Sequence, residues 1–382
     1  MALVGGPKHR GEPGSPAFAV VHDHLVQVGG AERVVPVISA ALDDAPVHTA
    51  FFELALTHPH LRATDVRPSI LNRLGWLRRN HRWSFALLAP LFALVRPKAK
   101  TTLVSTIGWA HFARPRGATV AYWHAPARWL YDQETYVAEG WKGRIVTMLA
   151  PALRSADRRA VSRIDHHLAV SNSVSKRLRE IYGIEAEVVH PPVSFNAVPE
   201  PVPDLEPGFF LVVSRLLSYK NVDVVIEAMQ QLPEQRLVVA GTGPDLNRLM
   251  DLAGPNVTFT KRVSDAELAW LYQQSAGLVT VAYEDFGLTP LEAAGMGKPT
   301  VALAAGGFLD TVIEGETGLF VPSLDPLDLA NAMEKLRLRT WDHQVLVDQA
   351  ALFSEASFVD NLLSNPALHP SRPDQTENEP EG

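Results

Sequence analysis

Between His190 and Pro207 the chain carries six prolines in eighteen residues, at positions 191, 192, 199, 201, 203 and 207. Proline fixes φ and removes a backbone donor, so such a run forms a stiff extended connector instead of a helix or a central strand. It cuts the 382 residues into two stretches of ordinary domain size, each with its own core to build. A short apolar run, a polar or glycine-rich turn and a helical pattern recur on both sides, the signature of βα units and parallel sheets.

In the first stretch, Ala17–Val21 reads as a buried parallel strand. It is followed by His22-Asp23-His24, then Gly29-Gly30-Ala31-Glu32-Arg33, then helix periodicity from Val34 to Leu42. Further strands are expected at Val47–Phe52, Thr102–Ser105, Ala118–Trp123, His167–Val170 and Glu187–His190. In the second they are expected at Phe209–Ser214, Arg236–Ala240, Val257–Phe259, Leu278–Val281, Pro299–Ala302 and Gly318–Val321. Helices are expected at Val222–Gln231, Pro244–Leu252, Asp265–Gln274, Pro290–Gly295 and Pro326–Leu338. The expected organisation is a flexible N-terminus (1–16), an α/β domain (17–190), the proline hinge (191–207) and a second α/β domain (208–340). A C-terminal helix (341–365) packs back toward the first domain, and a disordered Pro-rich acidic tail (366–382) follows. Both domains read as doubly wound and Rossmann-like, facing each other across a cleft.

Composition narrows the function. A hydrophobic content of 46% and a charged content of 20% fit a folded chain. A net charge of −7 argues against a general nucleic-acid binder. The absence of cysteine excludes disulfides and thiol catalysis. No leader-like segment is visible, and the longest apolar stretch, Phe85 to Val95, is far below the ~20 residues of a spanning helix. The expected location is the cytoplasm.

Two motifs carry the chemistry. Ser214-Arg215-Leu216 with Lys220-Asn221 follows a predicted strand, so both cations fall at the carboxyl edge where open α/β sheets bind ligands. They can grip a diphosphate and offset the charge on a leaving group. Two surface cations capping loops would look the same by spacing alone. Glu284-Asp285-Phe286-Gly287-Leu288-Thr289-Pro290-Leu291-Glu292 brackets a predicted helix start. Backbone N–H groups from Phe286 through Gly287 and Leu288 to Thr289 can meet an anion or a sugar oxygen. Glu284 and Glu292 can face different parts of one ligand, or they can be two solvated helix-end glutamates.

Weaker signals surround these. Gly30 sits in the first βα turn, and Gly306-Gly307 with Asp310 and Thr311 forms a similar turn in the second half. The segment from Tyr122 to Asp132 holds His124, Arg128 and four aromatics suited to sugar stacking. His124 could bind a sugar hydroxyl or move a proton, although a strand-end histidine is more often structural. From Val66 to Tyr131 there is no acid and there are eleven basic residues. Within that span, Trp76-Leu77 and Trp83 to Leu88 with Arg78, Arg79 and Arg82 form an amphipathic stretch. It suits either an anionic membrane surface or a buried helix with a solvated basic rim. His58 and His60 are near each other, but nothing else suggests a metal site.

Together these residues, from about Ala17 to Phe358, resemble a retaining glycosyltransferase of the GT-B fold in family four (glycosyl transferases group 1). Glu284 through Pro299 resembles that family's E-x-F-G-L-x-x-x-E signature. Ser214 through Asn221 resembles its diphosphate-binding segment, and Gly315 through Pro322 also fits. The resemblance implies that Arg215 and Lys220 bind the diphosphate, Glu292 the ribose and Glu284 the transferred sugar. It implies that Gly30 lies against phosphate or acceptor, that His124 lies beside the sugar, and that backbone near Arg262 and Val263 meets the base. It implies retention by front-face attack with no metal or other cofactor. The histidine-rich first half and the His124–Asp132 segment resemble a mannosyltransferase branch of polysaccharide and lipopolysaccharide assembly. That favours GDP-mannose as donor and a lipid-linked or glycan acceptor at the inner face of the membrane. Ala125, Trp129 and Tyr131 depart from the branch pattern, Asp310 stands where glutamate is usual, and Lys261 stands at a usual glycine. A nucleotide-sugar epimerase of the same fold and a non-catalytic sugar-nucleotide-binding protein are the competing readings.

Overall fold

The computed structural model describes residues 16–75, 91–132, 141–193 and 197–368. The amphipathic stretch with Arg78, Arg79 and Arg82 lies outside them, as do nearly all of the N-terminal segment and residues 369–382 of the acidic tail.

Two parallel sheets carry the fold. The first contains β1 (Phe18–His22), β2 (Val47–Thr49), β3 (Val66–Pro68), β4 (Thr101–Thr106), β5 (Ala118–Trp123), β6 (His166–Ala169) and β7 (Glu187–Val188), in the order β3-β2-β1-β4-β5-β6-β7. The second contains β8 (Phe210–Val213), β9 (Leu237–Ala240), β10 (Val257–Lys261), β11 (Gly277–Thr280), β12 (Thr300–Leu303) and β13 (Gly318–Val321), in the order β10-β9-β8-β11-β12-β13. By their contacts the residues divide into two compact units. One comprises residues up to Ala121 with Arg159–His166 and Pro366 onward, and the other comprises Tyr122–Arg158 with His167–Asn365.

In the first unit β1 pairs in parallel with β2 and β4. Val20 and Val21 are fully buried and all six residues of β4 are buried, as a strand covered on both faces requires. The short strand β3 was not legible from its apolar content. Val66-Arg67-Pro68 has one partly buried apolar residue, and its proline is tolerated because the strand pairs on one side only, with β2. The first helix begins at Gly30, ahead of the expected Val34, with Gly29 as its N-cap.

In the second unit β8 pairs with β9 and β11, and all five strand pairings of that sheet are parallel. Its core joins Phe210, Val212, Leu237, Val239, Val279 and Val301 with Leu329 and Met333 of the helix Pro326–Leu338. Helix starts follow local capping chemistry. Ser264 and Glu267 form a capping box for Asp265–Gln274, and the Ser171 hydroxyl accepts from Val174 N ahead of Asn172–Tyr182. Val202 and Leu205 of the proline-rich connector pack on the core around Phe209 and Tyr272. The expected single helix over 341–365 is two helices, His343–Ala351 and Glu355–Leu363, because Asp342 and Ser354 each cap a separate start. Phe358 reaches the Tyr122 ring on β5, and Asn365 Nδ2 donates to Glu187 Oε2 of β7 at 2.7 Å. The expected disorder from Pro366 is corrected for three residues. Pro366–Leu368 is a 3-10 turn whose Ala367 and Leu368 are buried apolar groups.

Candidate functional site

The order of the second sheet locates its ligand edge. Strands β8 and β11 are neighbours, but β9 lies on the far side of β8 and β12 on the far side of β11. The loops leaving their carboxyl ends therefore run in opposite directions and open a crevice, the usual ligand position in such sheets. Arg215 and Lys220 follow β8, and Glu284 follows β11.

Two close approaches shape the β8 side. A Cβ on Gly241 (φ +149°) would stand 1.8 Å from Ser214 O, and one on Gly243 would stand 2.1 Å from Leu216 O. Only glycine lets the β9 loop lie there, and Leu216 N donates to Thr242 O at 3.0 Å. Leu216 is buried while Arg215 is exposed. Among the described residues no acid pairs with the Arg215 guanidinium. Lys220 ends the 3-10 turn Ser218–Lys220, and Asn221 Nδ2 donates to Val281 O at 3.0 Å, tying this turn to the end of β11.

On the β11 side Lys220 Nζ forms an ion pair with Glu284 Oε1, so the structure brings these two predicted residues into contact. The Gly306-Gly307 loop seats the segment. Gly307 N donates to Glu284 O at 2.8 Å, and a Cβ on Gly307 would lie 2.3 Å from Phe286 Cα. Phe286 is buried and stacks on His190 with centroids 5.6 Å apart. Gly287 has φ +88°, and a Cβ there would meet the Phe308 ring at 2.5 Å. Gly287 is the N-cap of the helix Leu288–Gly295, which no side chain caps, so the first-turn amides at Leu288 and Thr289 are available to an anion. Glu292 sits on the buried face of that helix, 8% exposed, and Tyr272 Oη donates to its Oε2 at 2.7 Å. The role of Tyr272 was not read from sequence, since nothing local links positions 272 and 292.

The loop expected at the base follows β10. Arg262 is exposed, and Val263 packs against the core around Phe209 and Tyr272. Lys261 O accepts from Gly241 N at 2.9 Å, which places this loop beside the β9 loop. Lys261 has φ +58°, a left-handed conformation that favours glycine.

His124 follows β5 in the same unit. It is buried, and burial lowers its pKa to about 3. The imidazole is therefore neutral at physiological pH and can donate or accept a hydrogen bond, but it is not a stored proton. The expectation that the neighbouring aromatics stack on sugar is corrected for three of them. Tyr122 and Trp123 are fully buried, and Tyr122 Oη donates to Val189 O at 2.9 Å. Tyr131 Oη donates to Asp157 Oδ2 at 2.7 Å, and its ring packs on Tyr182. These rings build the core that holds His124 and Arg128.

Gly30 lies in the first unit. Beside it Glu32, 1% exposed, folds back over Gly29, accepts from Gln27 Nε2 at 2.7 Å and lies 4.0 Å from His24 Nε2. The Asp23 carboxylate accepts from the Ile107, Trp109 and Ala110 amides and so joins the turns after β1 and β4. Glu32 and Asp23 were read in sequence only as parts of a motif. Arg73, Arg96, Lys98, Lys100, Arg114 and Arg116 of the acid-free span are exposed, Arg67 pairs with Asp65 at 2.6 Å, and Arg128 is engaged internally. Among the described residues there is no cluster of potential metal ligands and no helix long and apolar enough to cross a membrane.

Residues 196–350 match the family model for glycosyl transferases group 1. A D-inositol 3-phosphate glycosyltransferase of Mycobacteroides abscessus is 30% identical over 241 residues, covering 56% of this chain and 54% of that protein. D-rhamnosyltransferase WbpZ of Pseudomonas aeruginosa is 29% identical over 240 residues, covering 59% and 61% respectively. The chain thus spans about half the length of the curated relatives it matches. HepE of Anabaena, solved in complex with UDP and glucose, superposes with a TM-score of 0.66 at 17% identity, covering 91% of this chain and 98% of that one. The fold is therefore the GT-B class of two Rossmann-like α/β sheets.

Proposed function

We propose that this chain is a retaining glycosyltransferase that takes a sugar from a nucleoside diphosphate and delivers it to a lipid-linked or glycan acceptor. The observation that carries this reading is the Lys220–Glu284 pair at the β8/β11 crevice, with Arg215 and the uncapped helix start beside it. Arg215, Lys220 and the amides of Leu288 and Thr289 receive the diphosphate and offset the charge that grows on it as the glycosidic bond breaks. Glu292, oriented by Tyr272, accepts the ribose hydroxyls, and backbone at Arg262 and Val263 meets the base. Glu284 accepts from the sugar hydroxyls, and neutral His124 lies beside the sugar. The acceptor hydroxyl attacks the anomeric carbon on the face the diphosphate leaves, and its proton passes to the departing phosphate oxygen. These cations and amides do the work a metal would otherwise do.

GDP-mannose is the donor we place first, on the first-half motifs. The relatives' names point to other sugars, D-rhamnose among them, and HepE was solved with UDP. The test is a thermal-shift and turnover panel of GDP-mannose, UDP-glucose, UDP-galactose and ADP-glucose. A stabilising donor present at ~100 times its dissociation constant adds about 2.7 kcal/mol. Binding with transfer supports the proposal. Formation of an epimer without an acceptor would make the chain an epimerase. Binding by a chain whose Glu284→Ala variant still sustains glycan synthesis in cells would make it a non-catalytic binder.

A further inference from the structure

Arg128 and Arg177 are two mostly buried cations that none of the roles above uses. Their side chains are 14% and 11% exposed, and both converge on one acid. Arg128 Nη2 lies 2.5 Å and Arg177 Nη1 lies 3.3 Å from Asp285 Oδ1. Arg177 is held in turn by Asp132 at 2.5 Å, and Arg154 donates to Leu130 O at 2.9 Å behind it. The backbone of the same loop is gripped as well. The Ser171 hydroxyl donates to Asp285 O, Ser173 Oγ meets Tyr283 Oη at 3.0 Å, and the Arg128 guanidinium lies over the Tyr283 ring. The neighbouring loop is anchored to the same receptor. Asp310 Oδ2 accepts from Asn172 N at 2.7 Å and lies 3.1 Å from His190 Nε2. The shorter aspartate at position 310 is accommodated by these contacts.

Glu284 is the residue before Asp285, so whatever fixes Asp285 fixes the origin of the Glu284 side chain. From this geometry we infer that Asp285, clamped by Arg128 and Arg177, is a positioning residue that sets Glu284 against the transferred sugar. The inference rests on the proposed role of Glu284. Sugar recognition through one carboxylate tolerates little displacement, since about 1 Å of misplacement in a reacting site can cost on the order of 100-fold. Burial raises the Asp285 carboxyl in pKa, and the charges of Arg128 and Arg177 offset part of that rise.

The test uses the full chain, with GDP, UDP, GDP-mannose and UDP-glucose as probes in isothermal titration. The quantity read is the ratio of dissociation constants for a diphosphate and its sugar conjugate. In Asp285→Asn and in the milder Arg128→Lys, that ratio is expected to fall about 10-fold or more, the worth of one hydrogen bond to a charged group. The diphosphate alone should bind as in wild type or up to about fivefold more tightly, because Arg215 and Lys220 are retained and a displaced Glu284 releases Lys220. An Arg128→Ala/Asp285→Ala cycle should show the two residues acting as one unit. If the variants weaken diphosphate and conjugate equally, Asp285 is only a structural anchor and the inference is wrong. If wild type discriminates sugars and the variants match it, the inference is wrong while the donor-site reading stands. If wild type binds none of the four probes, both are wrong.

Discussion

The Lys220–Glu284 pair makes opposite predictions for two halves of one ligand. In the free protein the Lys220 side chain is 12% exposed and the Glu284 side chain 29% exposed, so they form a partly solvated ion pair. Such a pair is worth about 1 kcal/mol or less. A diphosphate that recruits Lys220 has to loosen it. In Glu284→Gln the lysine is already released, so GDP or UDP without a sugar should bind up to about fivefold more tightly. The sugar conjugate loses a hydrogen bond to a charged acceptor, worth about 1.5–3 kcal/mol, or roughly 10- to 150-fold. Isothermal titration of each diphosphate and its hexose conjugate, on wild type and variant, reads both effects. Diphosphate affinity should rise while conjugate affinity and turnover fall. A variant that weakens both ligands in parallel would refute this reasoning, since Glu284 would then be a prop for Lys220 and not a reader of the sugar.

Other outcomes follow from named contacts. His124 has a folded pKa of about 3, below its ordinary value of 6.5. Its contribution to stability is therefore complete above pH 6.5 and is lost as pH falls toward 3, by about 1.4 kcal/mol per pH unit, and urea titrations should lose that slope in His124→Gln. The pH–rate profile should accordingly show no His124 inflection between about pH 5 and 8. Gly307→Ala places a Cβ 2.3 Å from the Phe286 backbone and should cost about 1–3 kcal/mol, lowering both Tm and sugar affinity. Gly75→Ala, which meets nothing within 4 Å among the described residues, should escape this steric penalty. Charge reversal at Arg78, Arg79 and Arg82 should reduce binding to phosphatidylserine vesicles in flotation assays, and unchanged flotation would leave that stretch without a membrane role.

The fold was legible wherever a residue's environment is set by its neighbours in sequence. Apolar runs flanked by turns marked the buried strands, and Ala118–Trp123 and Gly318–Val321 fall where the runs do. The helix Asp265–Gln274 was expected where it forms, and the Ser264–Glu267 capping box that starts it is likewise local. An edge strand such as Val66–Pro68 carries too little apolar signal to be seen. Of the candidate site, the charged residues and the glycines could be named because their spacing is local. Their partners could not. Tyr272 meets Glu292, and Arg128 meets Asp285, only after the strands have set the loops side by side. The aromatics near His124 misled because composition alone does not distinguish a ring that stacks on sugar from one that fills a core, and Tyr122 and Trp123 fill the core.

The most direct measurement of the donor site is calorimetric titration of GDP, UDP and ADP into wild type and into the Arg215→Ala/Lys220→Ala variant. At least one diphosphate should bind wild type, and the double variant should lose about 100-fold or more, two charge-assisted contacts at roughly 1.5 kcal/mol each. Equal affinity in both proteins, or no binding to wild type, would mean that the crevice between β8 and β11 does not hold a nucleoside diphosphate.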